Sequence, residues 1–206
     1  MHKFNFLKNY ILENERVKLS PLEREDFENL KDFAINEPEI WEFSLQPANG
    51  VDKMESYIRS AILGRKEQRA YAFIVFDKLS QQYAGSTRFY DFQEYHKTVQ
   101  LGFTWYGKQF QGSGINKQCK LLLLEFAFET LALERVEFRA DNRNKRSISA
   151  MKSIGCVVEG VLRSNCTAPS GRRDSIILSI LKDEWFGGIK ELLLAKIDKE
   201  KINFTS

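Results

Sequence analysis

The sequence has few of the residues that mark secreted, metal-binding and membrane proteins. Its 206 residues include three cysteines, two histidines and four prolines. The cysteines, Cys119, Cys156 and Cys166, form an odd, sparse set without metal-ligand spacing, which argues against a disulfide framework and a zinc site. The longest apolar runs, such as 121–124, are far too short to cross a bilayer. The first residues lack the apolar core of a signal peptide. These absences predict a reduced, cytoplasmic protein that needs no metal and no membrane.

Charge and composition are those of an ordinary globular domain. The net charge is +3, without the concentrated basic face that nucleic acid demands. Hydrophobic residues make up 43% of the chain, enough for a buried core. There is no Pro/Gly/Ser-rich linker, low-complexity segment or evident internal repeat, so we expect a single domain over residues 1–206.

The most informative segment runs from Gln109 to Asn116 and reads Gln-Phe-Gln-Gly-Ser-Gly-Ile-Asn. Val99 to Tyr106, before it, is rich in β-branched and aromatic residues and predicts a buried strand. After it, apolar residues recur from Ile115 at helical spacing. Two glycines between a strand and a helix let backbone N–H groups approach an anion, and the helix N-terminus favours negative charge. The segment therefore predicts a phosphate or pyrophosphate loop.

Three phosphate loops compete for this segment. A Walker A loop needs a Lys-Ser/Thr pair after its last glycine, and none is present. A Rossmann turn needs a small residue where Lys117 stands. The pattern Gln/Arg-x-x-Gly-x-Gly/Ala is matched in full by Gln109, Gly112 and Gly114. For so short a motif, a plain glycine turn is an equal alternative.

Other segments of the chain resemble motifs of the same protein family as this loop. Residues 141–147 read Asp-Asn-Arg-Asn-Lys-Arg-Ser, and 154–163 read Ile-Gly-Cys-Val-Val-Glu-Gly-Val-Leu-Arg. With the Arg-Asp pair at 173–174, the Glu-Trp pair at 184–185 and the opening Val-Lys-Leu at 17–19, they resemble the RimJ/RimL branch of the GCN5-related N-acetyltransferases (GNAT). That branch acetylates protein N-termini and small amines. The resemblance covers about residues 17–185.

The pattern of the chain is consistent with the fold that this resemblance implies. Strands are predicted around 16–19, 72–76, 83–90, 99–106, 135–140, 156–166 and 175–181. Helices are predicted after a capping box at Ser20 to Glu23, over 54–63 and 112–131, between Asn144 and Gly155, and over 185–197. The expected fold is α/β, a three-layer GNAT fold with a mixed, mostly antiparallel central sheet flanked by helices.

The resemblance also implies where acetyl-coenzyme A would bind. The strand before the loop would splay from its neighbour and pair with the pantetheine arm, and a backbone N–H there would hold the thioester carbonyl. Asn144 would hydrogen-bond the pantetheine amides, although it is also an ordinary N-cap. The expected cofactor-binding residues are Phe103, Thr104, Trp105, Gln109, Gln111, Gly112, Ser113, Gly114, Ile115, Asn116, Asn144 and Ser147.

The expected catalytic residues are Ser147, Gln100 and His96. Ser147 would offer a hydroxyl to the leaving sulfur. Gln100 stands where the branch often has a glutamate base, and an amide cannot accept that proton at neutral pH. The base would then be a water chain or one of Asp91, Glu94 and His96. The simplest interpretation of these loop charges is that they are solvated surface.

The acceptor side is expected around Trp41 and Arg88, with Gln100. Arg88 would pair either with an acidic acceptor or with a structural carboxylate. A basic turn at 143–146 would meet the adenosine phosphate or remain solvated surface.

The predicted function is transfer of an acetyl group from acetyl-coenzyme A to a primary amine by direct attack, without metal. One alternative is a GNAT-fold module that binds the acyl-coenzyme A but has lost catalysis. A nucleotide-dependent oxidoreductase is disfavoured by Lys117. The sequence leaves open the acceptor amine, the general base, longer acyl groups and the oligomeric state, a homodimer included.

Overall fold

A computed structural model describes residues 4–205, with side chains for residues 4–200. Short 3-10 turns lie at Arg24–Asp26, Pro38–Trp41 and Lys108–Phe110, and π-helical turns at Phe126–Thr130 and Trp185–Ile189. The strands are β1 Leu12–Glu13, β2 Val17–Pro21, β3 Ala70–Asp77, β4 Gln82–Gln93, β5 Thr98–Tyr106, β6 Arg135–Asp141, β7 Val157–Ala168 and β8 Gly171–Leu181. The helices are α1 Phe27–Asn36, α2 Val51–Lys66, α3 Ile115–Glu125, α4 Lys145–Ser153, α5 Lys182–Glu184 and α6 Lys190–Thr205.

The strands form one eight-stranded sheet in the order β1-β2-β3-β4-β5-β6-β8-β7. Every neighbouring pair is antiparallel except β5 with β6, which run parallel. The parallel pair needs a crossover, which α3 supplies. The predicted mixed, mostly antiparallel sheet is therefore confirmed.

Helices cover both faces of the sheet, as three layers require. On one face, α3 and α6 pack on the strands through a cluster that includes Leu123, Leu193 and Phe138. On the other face, α1 and α2 pack through a separate cluster that includes Leu30 and Tyr57. The two clusters exist because side chains on successive strand residues point to opposite faces.

The parallel strands β5 and β6 separate after only three residue pairs. Thr98–Gln100 pairs with 135–137, and the rest of β6 pairs only with β8. On its other side, β5 is bulged against β4, where the register shifts and Phe103 has a φ of 49°. The part of β5 from residue 101 to 106 therefore has a free edge, and a cleft opens beside it.

Some predicted boundaries were wrong. Ser20 and Pro21 belong to β2, and the capping box forms instead at Glu23 with Asp26. The helix predicted over 112–131 begins at Ile115, and its last turn is π-helical. The helix predicted over 185–197 is broken at Gly188, where φ is 131°, and continues to residue 205 as α6. Each error arises because helical periodicity does not report where backbone geometry changes.

Candidate active site

A cleft of about 580 Å³ opens where β5 and β6 separate. One end is bordered by the glycine loop before α3, and the other by the segment that joins α1 to α2. Most of the residues expected at the site line it: Trp41, Gln100, Phe103, Thr104, Trp105, Gln111, Gly112, Gly114, Asn116, Asn144 and Ser147. The cleft thus joins a loop suited to phosphate with an aromatic pocket through the free edge of β5.

The glycine loop has the backbone conformation that the motif requires. Gly112 and Gly114 have φ values of 78° and 84°, in the left-handed region that side chains disfavour. A Cβ on Gly112 would meet nothing within 4 Å, whereas a Cβ on Gly114 would lie 2.7 Å from Oε2 of Glu200, so the loop is open at Gly112 and bordered by a carboxylate at Gly114. The first backbone N–H groups of α3 have no acceptor within the helix. Together these features are those that suit a helix N-terminus to binding an anion.

Three residues expected to bind the cofactor support the loop without lining the cleft. The Gln109 side chain donates to Oε1 of Gln82 over 2.7 Å. Ser113 donates through Oγ to the Phe110 carbonyl over 2.7 Å. Ile115 is fully buried in the core below the loop. The Gln109 and Ser113 side chains are thus hydrogen-bonded within the protein, and the Ile115 side chain belongs to the core.

The start of α4 faces the same cleft. Asn144 caps the helix, because its Oδ1 accepts the Ser147 backbone N–H over 3.0 Å. The capping interpretation is therefore confirmed, and it leaves the Nδ2 donors of Asn144 available. Arg146 hydrogen-bonds Oε1 of Gln111, which ties α4 to the glycine loop. Arg143 instead holds Asp141 at 2.7 Å and keeps the pKa of that carboxyl low.

Gln100 lies on the cleft wall, and His96 does not. The Nε2 of Gln100 donates to Oδ2 of Asp91 over 2.7 Å. Because a carboxylate only accepts, the amide nitrogen must face Asp91, and the carbonyl oxygen remains available to the cleft. His96 is exposed on the turn between β4 and β5, against Tyr95, and is not among the residues that line the cleft.

The acceptor end of the cleft is aromatic. Trp105 donates through Nε1 to the hydroxyl of Tyr57 over 3.2 Å, and Trp41 packs against the Trp105 ring at 4.7 Å. Arg88 is 4% exposed and lies over the rings of Phe103, at 4.4 Å, and Tyr57, at 5.1 Å. Its Nε and Nη2 have no hydrogen-bond partner among the described residues. The structural carboxylate proposed for Arg88 is thus not seen in the described part of the chain, and Arg88 itself is not among the residues that line the cleft.

Sequence reasoning missed Lys120, which lies on α3 at the floor of the cleft. It is 4% exposed, and its Nζ donates to Oγ1 of Thr104 over 2.9 Å. Burial lowers the pKa of Lys120 to about 8. Spacing could have found it, because Asn116 and Lys120 are four residues apart on one helix face and both line the cleft.

The donor set of the cleft suits an acyl-coenzyme A better than a metal. Glycine-loop amides suit a pyrophosphate, and the free edge of β5 suits the amides of an extended pantetheine. Among residues 4–200, whose side chains are described, no cluster of three or more His, Cys, Asp or Glu side chains has metal-binding geometry. Nor does that range contain a helix long and apolar enough to cross a membrane.

Comparisons with known proteins agree with this geometry. Residues 16–157 match the family model described as an acetyltransferase (GNAT) domain. A Bacillus subtilis (strain 168) protein named as ribosomal N-acetyltransferase YdaF is 26% identical over 84% of this chain and 96% of its own length. Spermidine N(1)-acetyltransferase of Escherichia coli (strain K12) is 22% identical over 82% and 88%. The crystal structure of an acetyltransferase from T. thermophilus superposes with a TM-score of 0.82 at 32% identity, covering 95% of this chain and 99% of that one.

Proposed function

Because this chain belongs to the GNAT family of N-acetyltransferases, we propose that it moves an acetyl group from acetyl-coenzyme A to a primary amine by direct attack in a ternary complex. One observation carries this proposal: a single cleft joins the glycine loop, the free edge of β5 and an aromatic pocket. A donor and an acceptor held at its two ends would meet beside β5. Catalysis then rests on positioning and on stabilising developing charge.

The acetyl-coenzyme A would be held by backbone at one end and by side chains in the middle. Amides around Gly112 and Gly114 would bind the pyrophosphate, and Lys117, which lines the cleft nearby, would add a positive charge that is partly offset by its ion pair with Glu200. The free backbone groups of β5 and the Nδ2 of Asn144 would pair with the pantetheine arm. Nothing in this set requires a metal.

The acceptor amine must lose a proton before or during its attack. Gln100 cannot take that proton, but its available carbonyl oxygen can accept a hydrogen bond from the amine or from a water. Asp91, joined to Gln100, can pass the proton to solvent because it is exposed. We therefore assign proton removal to a water relay at Gln100 and Asp91, and the position of His96 does not favour it as the base.

The position of Arg88 supports an acceptor with an acidic group. The names of the relatives disagree on the acceptor, one naming a ribosomal and one a spermidine acetyltransferase. Arg88 does not itself line the cleft, but it is a buried cation without a carboxylate partner in the described chain, and it lies against two rings that do line it, Tyr57 and Phe103. An anion on the acceptor would stabilise it, whereas a polycation such as a polyamine would be repelled.

A screen of acceptors that follows free thiol release tests the function. Peptides with free N-termini, acidic amino acids and polyamines would be compared, with Gly112→Asp as the control for signal that does not depend on the loop. We expect amine-dependent thiol release, greatest for acceptors with a carboxylate. Tight binding of coenzyme A without turnover of any amine would instead favour the non-catalytic binding module, which Gln100 at the base position motivates.

A further inference from the structure

Lys120 is a buried ammonium in a place where the acetyl donor is expected. It extends from α3 toward the gap between β5 and β6. Its Nζ donates a hydrogen bond to Oγ1 of Thr104 and lies 5.8 Å from the centroid of the Phe138 ring. Phe138 belongs to β6 and Thr104 to β5, so Nζ lies between the two strands where they separate. The reacting thioester is expected at the same point, beside the bulge of β5.

Lys120 has a hydrogen-bond partner in Thr104 but no ion-pair partner in the described part of the chain. None of the ion pairs in the described chain includes it, and no carboxylate is among the charges that act on it. The titratable groups that face it are Cys119 on its own helix and Cys156 after α4. Burial raises the pKa of both thiols to about 12, so both are neutral at physiological pH. An unpaired buried charge is costly and favours a functional explanation.

We propose that Lys120 is the general acid that protonates the departing coenzyme A thiolate. The inference rests on the proposed function and deepens it. As the amine nitrogen bonds to the acetyl carbon, the carbon–sulfur bond breaks and its electron pair stays on sulfur. Lys120 gives the sulfur one proton, yielding the free thiol, and regains a proton from solvent. The acceptor nitrogen loses one proton through the water relay, so the overall exchange is balanced.

This role separates Lys120 from Ser147. A serine hydroxyl at the cleft can donate a hydrogen bond to the sulfur, but it does not ionise at neutral pH. An ammonium whose pKa of about 8 lies close to that of a thiol, ordinarily about 8.5, can transfer its proton with little energetic mismatch. Thr104 holds Nζ in place and is itself hydrogen-bonded to Thr87 Oγ1 over 2.7 Å. Thr104 is thus a positioning residue for Lys120.

The test compares Lys120→Met, which keeps the length of the chain without the charge, with Lys152→Met, which removes an exposed lysine of α4 outside the cleft. For Lys120→Met we expect kcat to fall by about 10²-fold or more, the usual contribution of a general acid, with coenzyme A affinity within about threefold of the wild type. Lys152→Met should match the wild type. In the wild type, kcat/KM for acetyl-coenzyme A, which reports the unliganded enzyme, should decline above about pH 8, and this decline should vanish in Lys120→Met.

Two further measurements keep the proposal testable if Lys120→Met folds poorly. Thr104→Val retains the lysine and should reduce kcat more than it changes KM. An NMR titration of the Lys120 side chain should give a pKa near 8 without ligand, and a different value when coenzyme A, but not its desulfo analogue, is bound. Full kcat and an unchanged pH profile in Lys120→Met would overturn the role of Lys120 alone. Acetylation of Lys120 during turnover, seen by mass spectrometry, would overturn it too. Absence of wild-type turnover with every amine would instead contradict the proposed function.

Discussion

Asn144 caps α4 and is proposed also to bind coenzyme A. The two roles use different side-chain atoms, so they can be separated by mutation. Its Oδ1 caps α4 through the Ser147 N–H at 3.0 Å, whereas its Nδ2 is proposed to bind pantetheine. Asn144→Asp keeps a capping oxygen and adds a negative charge that suits a helix N-terminus, so we expect stability within about 0.5 kcal/mol of the wild type. It removes both N–H donors.

The expected magnitudes differ enough to measure. Asn144→Ala should cost about 1 kcal/mol of stability through the lost cap, or about 2–4 °C in Tm for a chain of this size. Both variants should lose about 1–1.5 kcal/mol of coenzyme A binding, roughly five- to tenfold in Kd, for one hydrogen bond. Thermal melts and calorimetric titration with coenzyme A give the two numbers independently. If Asn144→Asp bound coenzyme A as tightly as the wild type while Asn144→Ala lost affinity, Asn144 would be a cap and nothing more.

Three further experiments test separate parts of the cleft. Gly112→Ala places its Cβ in open space and should cost only about 1–2 kcal/mol of stability through backbone strain. Gly112→Asp should bind coenzyme A at least tenfold more weakly than Gly112→Ala, as calorimetry would show. Equal affinities of the two variants would refute the pyrophosphate site. Glu200 forms an ion pair with Lys117 at 2.5 Å beside the loop, so Glu200→Gln should strengthen coenzyme A binding by about 1 kcal/mol. Glu191→Gln, in the same helix, should leave the affinity unchanged, and no gain in Glu200→Gln would place the pyrophosphate elsewhere. Gln100→Ala should reduce kcat less than tenfold, because water and Asp91 can still carry the proton, and the pH–rate profile should follow the pKa of the acceptor amine. A larger drop at unchanged coenzyme A affinity would show that the Gln100 side chain is needed to position the amine.

Local sequence pattern determined the family, the architecture and most of the cleft. The Gln-x-x-Gly-x-Gly pattern predicted a glycine loop between a strand and a helix, and the structure has that loop, with Gly112 and Gly114 in the left-handed conformation that few other residues tolerate. Asn144 was predicted as a cap by its position before a helical run, and the structure confirms that bond. These features depend on neighbours within a few residues, which is the range over which sequence reports backbone geometry directly.

Only the tertiary structure decided which side chains from different elements come into contact. Gln100 and Asp91 lie on different strands, and the register of β4 against β5 brings them together. Arg88 and His96 both looked available in sequence, yet the fold buries one between aromatic rings and leaves the other on an exposed turn. Lys120 is the clearest case. Its sequence neighbours mark only a helix, and its environment is created by the separation of two strands that α3 connects. Burial and pKa depend on all the elements that surround a group, so they follow from the assembled fold and not from local pattern.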